Sequence, residues 1–183
     1  MMMAAACMAV HVRWAISTRE NPTGKEHSLM YYAGNSAAQG DESTVLVRTA
    51  SPEEIDAMLA CDAYAQSHPE RGDAVRDAVA KRQCLLAIRA GQVAGYVLLR
   101  HDFFDYGFVS LVVVAPGQQR RGVGRRLLAA AESACQTAKL FTSTNESNLT
   151  AQRLFASAGF VRSGQIDHLD EGDPELVYVK FLR

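Results

Sequence analysis

The sequence has little of what would tie a fold together by covalent or metal chemistry. Its four cysteines, Cys7, Cys61, Cys84 and Cys135, are far apart and form no C-x-x-C pair, which leaves neither a disulfide framework nor a zinc-ligand spacing. The five histidines are scattered, so no metal is expected. Cysteine used this sparingly fits a reducing, cytoplasmic compartment. Charge of one sign is lacking too: 19 basic against 20 acidic residues leave a formal net charge of -1, which argues against nucleic acid as the main partner. No apolar run approaches the ~18 residues of a membrane span, and no membrane partner is expected. The opening MMMAAACMAVHVRWA has no positive residues ahead of its apolar part, and His11 and Arg13 cut it short. It does not read as a secretory signal.

What is present is the composition of one globular domain, 48% hydrophobic and 21% charged over 183 residues, long enough to fold without a staple. Residues 1–42 lack steady periodicity and end in the turn-rich AGNSAAQGDES. They read as a loosely structured extension ahead of a domain spanning residues 43–183. Within it, STVLVRTA is a β-rich run, and SPEEIDAML follows with Ser51 as N-cap and Pro52 at the first helical position. A second helix is expected over residues 69–80. CLLAIRAGQVAGYVLLR reads as a hairpin turning at Ala90-Gly91-Gln92. After the polar and aromatic HDFFDYG, FVSLVVV is a strand buried on both faces. A helix then runs to about Thr137, and KLFTS is a strand. Asn148 caps a helix with an apolar face of Leu149, Leu154, Phe155 and Ala158, ended by Gly159. FVRSGQ and ELVYVKFL are the last strands. The order β-α-α-β-β-β-α-β-α-β-β implies an α/β (mixed α+β) fold with one parallel pair joined by a crossover helix.

The stretch VVVAPGQQRRGVGRRLLAA, Val112 to Ala130, runs from an apolar strand through glycines and four arginines straight into a helix. Arginines at a helix start oppose the helix dipole, and an anion would offset that cost. The free N–H groups of the helix N-terminus, with Gly122 and Gly124 admitting close approach, suit a phosphate. Arg120, Arg121, Arg125 and Arg126 would pair with its oxygens. The Walker pattern fails because no Lys-Ser or Lys-Thr follows the glycines, and the dinucleotide fingerprint lacks its third glycine. The alternative is a solvated basic turn.

Val114-Ala115-Pro116 followed by Gln119-Arg120-Arg121-Gly122-Val123-Gly124 resembles the acyl-CoA loop of the GNAT superfamily of N-acetyltransferases, V-x-P then Q/R-x-x-G-x-G/A. NLTAQRLFASAGF, Asn148 to Phe160, is similar to the family's N-x-x-A-x-x-L-Y-x-x-x-G-F helix with one change. The resemblance covers roughly Thr44 to the C-terminus. It implies a mixed, mostly antiparallel sheet with a splayed parallel strand pair flanked by helices. It also implies acetyl-CoA as cosubstrate, with the pantetheine arm beside Val112, Val113 and Val114. The pyrophosphate would be wrapped by Gln119, Arg120, Arg121, Gly122, Val123, Gly124 and Arg125. Asn148 would touch the cosubstrate, cap its helix, or do both. Subunits of this fold often pair through exposed C-terminal strands, so a homodimer is possible.

The implied reaction is acetyl transfer to a primary amine of a small molecule or peptide by direct attack. The family's tyrosine acid, seven residues after the asparagine, is here Phe155, and phenylalanine donates no proton. Tyr106 or Tyr178 are the substitutes, with ordinary packing as their other reading. Where some members carry a glutamate base, this chain has Ser110 and Ser143. His101, Asp102 and Asp105 are the nearest titratable candidates, and a solvated loop is their alternative. IDHLDEGDPE gathers Asp167, Asp170, Glu171, Asp173 and Glu175, either as a solvated loop or as charge drawing in a cationic acceptor. Two further readings stand beside the transferase: a non-catalytic acyl-CoA-binding sensor, and a nucleic-acid-binding domain, which the neutral charge disfavours.

Overall fold

The computed structural model describes residues 44–182; the expectation for residues 1–42 lies outside them. Seven strands and four helices follow the expected order. They are β1 (Val45–Thr49), α1 (Ile55–Cys61), α2 (Pro69–Ala80), β2 (Cys84–Arg89), β3 (Gln92–Phe103), β4 (Tyr106–Val114), α3 (Val123–Ala134), β5 (Lys139–Asn145), α4 (Leu149–Ser157), β6 (Val161–Ile166) and β7 (Glu175–Phe181). All strands join one sheet in the order β1-β2-β3-β4-β5-β7-β6. Every pairing is antiparallel except β4 with β5. That exception follows from α3, because a crossover helix returns the chain in its original direction.

Two cores lie on opposite faces of the sheet. On one face α3 and α4 cover Val97, Val109, Val112, Leu140 and Tyr178, with Leu127, Leu128 and Phe155 from the helices. On the other, α1 and α2 bring Met58, Val75 and Val79 onto Leu86, Tyr96, Leu98 and Leu111. The strict alternation of neighbours such as Leu86 and Ala87 between the two is the period-two pleat of a strand.

Local departures from expectation have local causes. HDFFDYG is a continuation of β3 and β4 into a tight hairpin, closed by Phe104 and Asp105, both left-handed (φ 50° and 62°). Two positive φ values make this a type I′ turn, built without the usual Asn-Gly. The first hairpin closes likewise at Ala90 and Gly91. The helix entered from Ser51 begins as a single 3-10 turn, Pro52–Glu54, before α1. There the Ser51 N–H donates to Glu54 (2.9 Å). Helix α3 stops at Ala134, short of Thr137, since Cys135 turns extended. Leu149 lies exposed at the start of α4, and Ala151 takes its place on the buried face beside Phe155.

Candidate active site

The site begins where β4 and β5 part. Their parallel pairing covers only Gly107–Val109 against Leu140–Thr142. Beyond it β4 continues to Val114 and β5 to Asn145 without pairing each other. Alternate backbone N–H and C=O groups of Ser110–Val114 therefore face a gap rather than a strand. Two features hold the parting point. Thr142 Oγ1 donates to the Val109 carbonyl (3.0 Å), occupying the last carbonyl before the gap. Across β4, Leu98 faces Leu111 and Leu99 faces Val109, so Ser110 is an extra, bulged residue that re-aims the strand at that spot.

One wall of the gap comes from the chain after α1. Cys61, Asp62 and Ala63 line a shallow cleft with Val112, Val113, Val114 and Pro116. Asp62 fixes this wall from inside: it accepts from the Tyr96 hydroxyl (2.8 Å) and from the Tyr64 N–H (3.0 Å). Burial first, then the Asp62 charge and hydrogen bond, hold the Tyr96 phenol far above its ordinary range. Burial likewise pushes the Cys61 thiol up to about 12, which keeps it protonated and inert. None of Cys61, Asp62 and Tyr96 was expected from the sequence, and the partners of the Asp62–Tyr96 bond are 34 residues apart.

The arginine segment forms the far end. A 3-10 turn at Pro116–Gln118 leads to Arg120 and Gly122, both left-handed (φ 57° and 80°), and α3 starts at Val123. Left-handed residues on either side of Arg121 gather successive N–H groups into a concavity of the anion-binding kind. Among the described residues, the backbone N–H groups of Arg120 to Arg125 have no hydrogen-bond acceptor. Nor do the exposed side chains of Arg120, Arg121, Arg125 and Arg126 have a carboxylate partner there. Unspent donors on rigid backbone beside unspent cations suit a pyrophosphate. The two glycines differ in purpose. Gly122 is the left-handed N-cap in open space, whereas a Cβ on Gly124 would meet Leu154 Cδ2 at 3.0 Å. Gly124 thus seats α3 against α4.

Asn148 caps α4, its Oδ1 accepting from the Ala151 N–H (3.1 Å), while its Nδ2 has no partner among the described residues. Phe155 is wholly buried, with ring centroids 6.0 Å from Phe160 and 5.6 Å from Tyr178. Burial holds the Tyr178 phenol above its ordinary range, with Arg162 pulling the other way.

The remaining candidates are not brought to the parting point. His101 accepts from the Gln136 N–H (3.1 Å) at the end of α3. Asp102 ion-pairs with Arg100 at the end of β3, and Asp105 is in the hairpin turn. Tyr106, at the start of β4, has Lys139 Nζ 4.9 Å from its ring centre. Ser110 and Ser143 do border the parting point and are both buried. The acidic segment is pinned, not free. Asp170 accepts from Asn145 Nδ2 (2.8 Å), and Asp173 accepts from the Ser147 N–H (2.9 Å) and hydroxyl (2.6 Å). No cluster of metal-ligating side chains occurs among the described residues, and no described helix is long and apolar enough to cross a membrane.

Residues 53–160 match the model of the acetyltransferase (GNAT) family. A GNAT-family acetyltransferase from Bacillus cereus ATCC 10987 is 32% identical, with a TM-score of 0.73 over 76% of this chain and 99% of that one. The fold also matches yncA from Salmonella typhimurium, whose structure holds its cofactor acetyl-CoA, at 22% identity and TM-score 0.63 over 76% of this chain and 94% of that one. Ribosomal-protein-alanine N-acetyltransferase from Brucella melitensis shares the fold at 23% identity and TM-score 0.60, over 75% and 99% of the two chains. Comparison with curated proteins gives no match.

Proposed function

The chain belongs to the GNAT family of acetyltransferases, and from that premise we propose that it transfers the acetyl group of acetyl-CoA to a primary amine of a small molecule or peptide by direct attack. The observation that carries this reading is the run of unpartnered N–H groups and arginines at the start of α3, directly after a strand that has left its parallel neighbour. The same reading takes the domain to be residues 43–183.

The residues divide the work along the gap. Gln119 to Arg125 hold the pyrophosphate, and the free edge of β4 with Val112, Val113 and Val114 guides the pantetheine arm. From Val114 back to Ser110 that edge covers about 13 Å at ~3.3 Å per residue. The thioester is thereby delivered to the bulge at Ser110. A backbone N–H there is the donor for the developing oxyanion. Asn148 keeps its cap through Oδ1 and offers Nδ2 to the cosubstrate.

The amine must reach the thioester unprotonated, and a lysine-like amine has a pKa of ~10.4. Ser110 and Ser143 beside this point are polar but not basic, so the proton leaves through water rather than to a basic side chain of the two strands. The thiol of CoA, with a pKa near ~8.5, leaves as thiolate without an acid. Phe155 is therefore compatible with turnover, and Tyr178 is the phenol on the same face of the sheet. Phe155 also favours a second reading, a sensor that binds acyl-CoA without chemistry. Free-thiol release from acetyl-CoA over a panel of amines decides between them. Turnover on any amine supports the transferase. Tight acetyl-CoA binding with no turnover, restored by Phe155→Tyr, supports the sensor.

A further inference from the structure

We propose that the acceptor amine carries an aromatic or similarly flat apolar group, held on an aromatic platform beside the point where β4 and β5 part. This inference rests on the transferase reading above and names the class of acceptor for that same site.

The platform is on the sheet face opposite α3 and α4. Phe108 and Phe141 are direct cross-strand partners, one residue before the last pair, Val109 with Thr142. Phe103 from β3 stacks on Phe108 (4.7 Å, 15°) and leans on Phe141 (5.2 Å). Tyr106 extends the group beside Phe141 (5.8 Å). All four are only half-buried. Helices α1 and α2 cover this face over β2, β3 and Leu111, and no residue of β5, β6 or β7 belongs to their core. Four aromatic rings packed together with part of their surface still reaching solvent offer a flat apolar guest a place to stack.

Charge on the same face sets the orientation of a guest. Lys139 Nζ is over Tyr106 (4.9 Å) and 5.8 Å from the Phe181 ring centre, so the hairpin end of the platform is cationic. Arg100, opposite Phe108, is already matched by Asp102. At the other end Asn145, on the Phe141 side of β5, binds Asp170 and pairs with Glu175. An ammonium repelled by Lys139 and drawn toward that end passes the parting point at Val109 and Ser110, while its ring stays on the phenylalanines. One amine with one short linker fits both demands.

The test titrates 2-phenylethylamine and n-propylamine into the full chain saturated with CoA, by calorimetry, and runs both amines in parallel for thiol release from acetyl-CoA. The expected result is aromatic binding at least about tenfold tighter, the order given by stacking and burial of one ring. Phe103→Leu, which keeps an apolar side chain and removes the ring, should abolish that preference while leaving acetyl-CoA affinity unchanged and the chain folded, with Tm lowered by only about a few degrees for the lost ring pairs. Equal binding of the two amines overturns the proposal, as does a Phe103→Leu chain that keeps the preference. Preferential binding without thiol release leaves the platform standing and sinks the transferase. Thiol release with no aromatic preference does the reverse.

Discussion

Arg120 adopts a left-handed backbone (φ 57°) that costs a non-glycine residue about 1 kcal/mol or more, and the return is a ring of convergent N–H groups. If those groups and the neighbouring cations hold a pyrophosphate, Arg121→Ala and Arg125→Ala should each raise the acetyl-CoA dissociation constant about tenfold. The effect should shrink at high salt, because both side chains are exposed. Calorimetry at low and high ionic strength reads both effects, and unchanged affinity in both variants removes the arginines from the site. The cysteines give a prediction of another kind. Burial, aided by the charge of Asp62 at Cys61 and of Glu54 at Cys84, lifts both thiols from 9.0 to about 12. Since these thiols ionise in the unfolded chain first, their contribution to stability is intact below pH 9 and is lost as pH rises from there toward 12. Iodoacetamide labelling followed by peptide mass analysis should find both unreactive at pH 8 under native conditions. Labelling there at the rate of a free thiol would contradict the burial. The arginines were legible in the sequence because their spacing is local. The Asp62–Tyr96 pair was not, because nothing near Asp62 announces a phenol from β3.

At the scale of elements, apolar periodicity and caps marked every strand and helix of the described residues, and the failures were of turn chemistry. Phe104 and Asp105 close a hairpin without glycine, so HDFFDYG gave no turn signal. The separation of β4 from β5 was equally invisible, since both read as ordinary buried strands and only the resemblance implied the gap. Two threonines on one face of β5 test what holds it. Thr142 donates to the Val109 carbonyl, whereas the Thr144 hydroxyl is buried with no partner. Thr142→Val removes a hydrogen bond and strands a buried carbonyl, a loss of about 1–3 kcal/mol. Each kcal/mol should lower Tm by about 2–4 °C in a chain this size. Thr144→Val discards a hydroxyl that earns nothing and should leave Tm unchanged or raise it. Thermal denaturation of the two near-isosteric variants gives the comparison directly. Equal losses would mean that Thr142 contributes only shape.

For the whole molecule, the order β1-β2-β3-β4-β5-β7-β6 leaves β6 at one end of the sheet, bonded among the described residues to β7 alone. Every residue of β6 is exposed, Val161 and Ile166 by 55% and 42%. An edge strand with open backbone donors and acceptors, apolar residues at both ends and no proline is a template for another strand. The bulge at Ser163 interrupts it once, and Arg162 is its one charge. A second copy related by a twofold axis presents the same edge in antiparallel register, so the pairing closes at two subunits and does not propagate. The expected species in solution is therefore a dimer, of about twice 19.9 kDa, at micromolar concentration by light scattering behind a sizing column. Ile166→Lys places a charge on the edge and should yield the monomer mass. Its acetyl-CoA affinity should not change, because β5 and β7 separate β6 from the gap. A native chain that runs as a monomer, or an Ile166→Lys chain that stays dimeric, would show that β6 is protected by its bulge and exposed for no pairing purpose.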